Sequence, residues 1–176
     1  LVRIFRLSRE GAETTFGYVA PGEAFGELAV FGDYRRESFA QATRASRVWK
    51  IPGTAFRQLL TTRPNLVLAV TRQIGARFKR IESRVEDLVF RDARSRVAHI
   101  LLELAEDFGR EEAGLVVIGI DITQAELATL VGITRQTANG CLRDFENEGL
   151  TTRRGRHIVL KDPARLGEIS RETRGA

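Results

Sequence analysis

The stretch from Asp121 to Leu150 constrains this chain more than any other. Thr123 stands three residues before Glu126, the spacing of a capping box, so a helix starts there. Its apolar face is Ala125, Leu127, Ala128, Leu130 and Val131. Gly132 supplies a sharp turn that a side chain would obstruct. Thr134 then caps a second helix, with Ala138, Leu142 and Phe145 on one face. Two short helices joined by a glycine-containing turn form a helix-turn-helix pattern. Arg135, Gln136, Asn139 and Arg143 fall on the side away from the apolar face. Arg can clamp guanine, and Gln or Asn can clamp adenine, through paired hydrogen bonds in the major groove. Thr151 to Leu160 reads as a short hairpin turning at Gly155, a wing whose arginines suit phosphate contact. The candidate DNA-contacting residues are Thr123, Gln124, Thr134, Arg135, Gln136, Asn139, Arg143, Arg153 and Arg154. The simpler alternative is two packed helices beside a surface hairpin. It leaves the agreement of capping box, glycine turn, base-reading residue types and basic hairpin unexplained.

Charge supports the same partner. The 176 residues carry 28 Lys and Arg against 23 Asp and Glu, a net charge of +5. From Arg153 to Arg156 three of four residues are Arg, which points to an anionic partner at the hairpin. With 43% hydrophobic residues a normal core is attainable. A single cysteine, Cys141, excludes an internal disulfide and fits a reducing compartment, so a cytoplasmic location is expected. Cys141 itself reads as a small buried residue. No apolar run approaches the roughly 18 residues of a membrane span, and no signal peptide is recognisable. The chain contains no Met and opens on Leu1 within a strand-like pattern, so residues before Leu1 are expected. His99 and His157 lie far from any plausible Ser or Cys nucleophile, and no metal-ligand spacing occurs. Neither an enzyme nor a metal site is expected.

The remaining chain predicts an α+β protein. Val2–Leu7, Thr14–Val19, Glu37–Thr43 and Arg47–Ile51 read as short strands separated by turns, which suggests a small β-roll. Thr54 is the expected cap of a helix over Ala55–Thr61, stopped before Pro64. From Asn65 to Arg91 the pattern becomes helical. Val67, Val70, Ile74, Phe78, Ile81, Val85 and Leu88 are separated by 3, 4, 4, 3, 4 and 3 residues. One narrow apolar stripe flanked by charge predicts a coiled coil between two chains. A long helix packed on its own β domain is the alternative. Asp92 caps a further helix ending at Gly109, Leu115–Ile120 is a β run, and Asp162-Pro163 opens a last helix near Ala164–Glu172. The polar tail beyond it is expected to fray. The expected domains are 1–64, a partial β-roll; 65–91, a dimerisation helix; and 92–176, a winged helix-turn-helix.

This order of parts resembles the Crp/Fnr family of bacterial transcription regulators. Phe25-Gly26-Glu27-Leu28-Ala29 followed by Arg36 looks like the family's phosphate-binding cassette. Arg94 to Ala105 looks like its first helix after the dimer helix, and Thr123 to Leu150 like its DNA-reading unit. The resemblance implies a homodimer that binds double-stranded DNA, with RNA polymerase as a further partner and no membrane role. It also implies Gly26, Glu27, Leu28 and Arg36 as effector-binding residues. In cAMP-binding members an Arg followed by Ser or Thr holds the cyclic phosphate, and the dimer helix offers Thr and Ser to the adenine. Here Glu37 follows Arg36, and Ile81 and Glu82 stand at the helix positions. A carboxylate beside the phosphate site repels the ligand, so cAMP is not expected as effector and no cofactor is expected. A local ion pair between Arg36 and Glu27 is the structural alternative for those residues. The cysteines of the iron–sulfur branch and the roll histidine of the haem branch have no counterpart. Arg135 matches the family's guanine-reading Arg, Gln136 stands where a Glu often reads cytosine, and Gly140 where a second basic residue often sits. A target differing from that of the cAMP-type members is expected.

Overall fold

The computed structural model describes residues 1–32 and 35–172. The expected fraying at 173–176 lies outside the described residues. The chain divides into two compact units, Leu1–Glu82 and Ser83–Ala176, so the break falls within the long helix.

The first unit holds strands β1 (Val2–Leu7) and β2 (Glu13–Val19), a short helix α1 (Leu28–Phe31), strand β3 (Phe39–Ala42) and helix α2 (Gly53–Thr62). The sheet order is β2-β1-β3, antiparallel throughout. Val2 faces Val19 on one side and Ala42 on the other. Tyr18 and Val19 are buried, and so is Arg3, whose charge is met by Glu13 at 2.8 Å and by Gln41 at 2.9 Å. A buried guanidinium is tolerated only with such partners.

Two expectations for this unit fail. Arg47–Ile51 forms no strand; all five residues are exposed, and Trp49 is 92% exposed. A strand exists through its ladder, and among the described residues β3 pairs only with β1, leaving that segment no neighbour. Thr54 does not cap α2. The cap position is Pro52, without a side-chain bond, and its carbonyl accepts from the Phe56 amide at 2.9 Å.

Helix α3 runs from Pro64 to Phe90, with Pro64 at the first position, where a missing N–H costs nothing. In the second unit it is followed by α4 (Ala93–Phe108), β4 (Gly109–Glu112), β5 (Leu115–Ile118), α5 (Gln124–Val131), α6 (Arg135–Asn147), β6 (Thr151–Arg154), β7 (His157–Leu160) and α7 (Pro163–Arg171). The Asp92 carboxylate accepts from the Ser95 amide at 2.8 Å, the expected cap of α4. The helix ends at Gly109, where the backbone turns extended, and glycine is required there because a Cβ would stand 2.1 Å from the Ala105 carbonyl oxygen. The β run stops at Ile118, where Gly119 N–H donates to the Phe108 carbonyl at 2.8 Å. The second sheet is antiparallel in the order β4-β5-β7-β6. Val97, Ile100, Leu101, Leu127, Phe145, Val159, Leu166 and Ile169 are almost wholly removed from solvent. Each such burial contributes roughly 1.5–3 kcal/mol. Ala125 is the exception to the expected apolar face of α5, since it is exposed.

Candidate DNA interface and effector cassette

The helix-turn-helix is fixed by local hydrogen bonds. Thr123 Oγ1 accepts from the Glu126 amide at 3.1 Å, and Glu126 Oε2 accepts from the Thr123 amide at 2.8 Å, a complete capping box. Gly132 ends α5 in the left-handed region at φ 75°, and its N–H and that of Ile133 both reach the Ala128 carbonyl. Thr134 Oγ1 accepts from the Thr137 amide at 3.1 Å and starts α6.

Helix α6 has two faces. Ala138, Cys141, Leu142 and Phe145 are buried, while Arg135, Gln136 and Arg143 are exposed. Burial pushes the Cys141 thiol pKa up, which keeps it neutral and unreactive. Asn139 lies half-buried, and its Oδ1 accepts from Gln124 Nε2 at 2.8 Å. Arg94 of α4 supports the helix from behind. Its Nη2 donates to both carboxylate oxygens of Glu148, at 2.8 and 2.6 Å, and its guanidinium stands 4.7 Å from the Phe145 ring centroid.

The wing is the β6–β7 hairpin, turning through Gly155 at φ 61°. Arg153 and Arg154 are exposed on β6 as expected, yet each meets a carboxylate of its own chain. Arg153 pairs with Glu146 at 3.3 Å and Arg154 with Glu112 at 3.6 Å. Asp121 faces both Arg156, at 3.8 Å, and His157, at 3.5 Å. These carboxylates were not legible beforehand as wing partners, because the contacts come from α6, β4 and the loop before α5.

In the first unit, Gly26 has φ 75°, and the Arg36 guanidinium stands 3.5 Å from where a Cβ on it would be. The two residues are therefore together, and a side chain at 26 would be strained by the left-handed backbone rather than by lack of space. Glu27 is buried, but its ion pair is with Arg77 of α3 at 3.1 Å, not the alternative one with Arg36. Arg77 also donates to the Ala24 carbonyl at 2.6 Å, and Gln73 both donates to and accepts from the Ala24 backbone. Gln73 and Arg77 lie one helical turn apart, the only advance sign that they act on one segment. Leu28 is 50% exposed. Glu37 pairs with Arg6 at 2.7 Å.

Along the apolar seam of α3, Phe78, Ile81, Val85 and Leu88 are 60%, 44%, 56% and 54% exposed, and Val67 is 39% exposed. Ile74 is half-buried, whereas Val70 is buried in the chain itself. No helix among the described residues is long and apolar enough to cross a membrane. The described residues hold no group of three or more His, Cys, Asp or Glu arranged to bind a metal.

Residues 1–63 match the family model of the cyclic nucleotide-binding domain, and residues 95–169 that of the Crp-like helix-turn-helix domain. The chain is 34% identical over 170 residues to the CRP-like cAMP-activated global transcriptional regulator of Mycobacterium tuberculosis, covering 97% of this chain and 76% of that protein. Among solved structures it resembles a CRP/FNR-family transcriptional regulator from Thermus thermophilus at 30% identity and TM-score 0.77, covering 97% of this chain and 84% of that one. It also resembles the c-di-GMP responsive global regulator CLP of Xanthomonas campestris at 25% identity and TM-score 0.69, covering 90% and 79%. A cyclic nucleotide-binding fold followed by a Crp-like helix-turn-helix defines a DNA-binding transcription regulator rather than an enzyme. The chain belongs to the CRP/FNR family.

Proposed function

We propose that the chain works as a homodimeric, sequence-specific regulator that reads DNA through α6 and does not depend on cAMP. The observation that carries sequence reading is the exposed face of α6, where Arg135, Gln136 and Arg143 have no role in the core. Pairing of two chains through α3 is supported by the exposed apolar seam at Phe78, Ile81, Val85 and Leu88, which water solvates poorly. Val67 and Ile74 extend this interface, and Val70 braces it from within. Membership of the family supports RNA polymerase as a further partner and a cytoplasmic location. An effector acts on such a dimer only by binding two arrangements with different affinity. Independence from cAMP is supported by Glu37 beside Arg36, and by Ile81 and Glu82 at the helix positions.

A second reading is favoured by the contact of Arg36 with Gly26: a regulator whose roll takes a cyclic nucleotide. The Mycobacterium relative is named for activation by cAMP and the Xanthomonas one for response to c-di-GMP, so related rolls serve different nucleotides. Titration calorimetry with cAMP, cGMP and c-di-GMP separates the readings. Absence of micromolar binding by cAMP supports the first; micromolar cAMP binding, weakened by Arg36→Ala, establishes the second.

A further inference from the structure

We propose that Gln124 is a specificity-positioning residue: it sets the base preference of the reading helix through Asn139, without belonging to that helix. This rests on α6 being the DNA-reading element. Gln124 is the first residue of α5, and Asn139 lies in the second turn of α6, four residues after Arg135 and so on the same side. Fifteen positions apart in sequence, their amides meet at 2.8 Å, with Gln124 Nε2 donating to Asn139 Oδ1. Both side chains are half-buried, so this bond is partly shielded from water.

The bond changes what Asn139 offers to DNA. A free Asn presents an acceptor and a donor together, the combination that clamps N6 and N7 of adenine. With its oxygen engaged by Gln124, Asn139 is left with its Nδ2 to offer, a group that only donates. Donors match N7 and O6 of guanine, N7 of adenine and O4 of thymine. The amino groups of cytosine and adenine are the base-edge groups such a face cannot serve, and cytosine offers it no acceptor at all. The base facing Asn139 is therefore selected for an acceptor edge, and the selection depends on Gln124. Removing Gln124 frees Asn139 to rotate and offer its oxygen, which admits amino-bearing bases.

The test is competitive selection from randomised duplexes with the purified chain and its variants Gln124→Ala, Gln124→Met, Asn139→Ala, the double variant Gln124→Ala/Asn139→Ala, and Arg135→Ala. Circular dichroism melting establishes that each is folded. The expected result is that Gln124→Ala and Asn139→Ala lose discrimination at the same base pair, by roughly three- to tenfold, and that the double variant loses no more than Asn139→Ala. Gln124→Met keeps the side-chain length without the donor and behaves as Gln124→Ala. If Arg135→Ala loses its own base preference while the Gln124 variants keep the wild-type preference, the assignment to Gln124 is overturned and the reading helix stands. Additive losses at different base pairs overturn it too. If Arg135→Ala also keeps the wild-type preference, α6 is not the reading element and the proposal falls with it.

Discussion

Leu88 of α3 places its Cδ2 3.6 Å from where a Cβ on Gly132 would stand, so the end of the apolar seam lies against the turn of the helix-turn-helix. That distance is ordinary van der Waals contact and does not forbid a side chain. The backbone does, because Gly132 has φ 75°. Gly132→Ala is expected to cost about 1–2 kcal/mol, the penalty of the left-handed region for an L residue. Denaturant melts should show a lower midpoint with unchanged slope. The same cost should persist in a Leu88→Ala background; a cost that disappears there would place its origin in the contact instead.

Gly140 gives the opposite case. It sits inside α6 with nothing within 4 Å of an added Cβ. Gly140→Ala should stabilise the protein by roughly 0.5–1 kcal/mol, through helix propensity alone. A destabilised variant would reveal a contact at this position that the fold does not contain.

Arg135→Ala and Arg153→Ala should differ in kind. Arg135 follows the Thr134 cap at the N-terminal turn of α6, where a guanidinium can donate two bonds to guanine, worth about 1–3 kcal/mol of discrimination. Its loss should reduce affinity for the selected site and barely change affinity for random duplex. Arg153 on the wing is proposed to meet phosphate, which is the same at every step. Its loss should weaken both duplexes alike and flatten the dependence of log K on log salt by up to about 0.9. Binding measured on both duplexes across a salt series makes the comparison.

Ile74→Glu with Ile81→Glu should give monomers by light scattering and abolish tight binding to a two-fold symmetric site. Ile81 is 44% exposed in the single chain, so a charge there leaves the chain's own core intact. Unchanged mass in solution would place the dimer contact elsewhere than α3.

Asp92 predicts an acid response with a definite sign. The Ser95 amide bonded to its carboxylate holds its pKa below the ordinary 3.8. Between the folded and unfolded values the native state binds fewer protons, so the cap's contribution is full above about pH 4 and disappears as pH falls through the folded value. Asp92→Ala should cost about 1 kcal/mol at neutral pH, and its difference from wild type should shrink on acidification. Asp87 runs the other way: burial raises its carboxyl above 3.8, so its ionisation opposes folding as pH rises through that interval. Parallel melts of both single variants from neutral to acid pH separate the two contributions.

What could be read in advance was local. Asp92 with Ser95, Thr123 with Glu126, and Thr134 with Thr137 are bonds across three residues, written directly in the order of the chain. The two-faced α6 follows from the same short period. What could not be read depends on remote partners. Gly109–Glu112 carries little β-forming character and becomes β4 only because β5 lies beside it, while Arg47–Ile51 carries more and has no ladder. Glu27 with Arg77, and Gln124 with Asn139, join helices and loops whose approach no local pattern specifies.

The wing arginines are already occupied by oxygen anions of their own chain, Glu146 and Glu112. If the wing meets the DNA backbone as proposed, docking is an exchange reaction, carboxylate for phosphate, and not the capture of a bare cation by a polyanion. Each released carboxylate stays close by and repels the duplex that displaced it. The hairpin would then hold an arbitrary duplex less firmly than its tally of arginines suggests. Dwell time on DNA shifts toward sites where the base edges supply what the backbone does not.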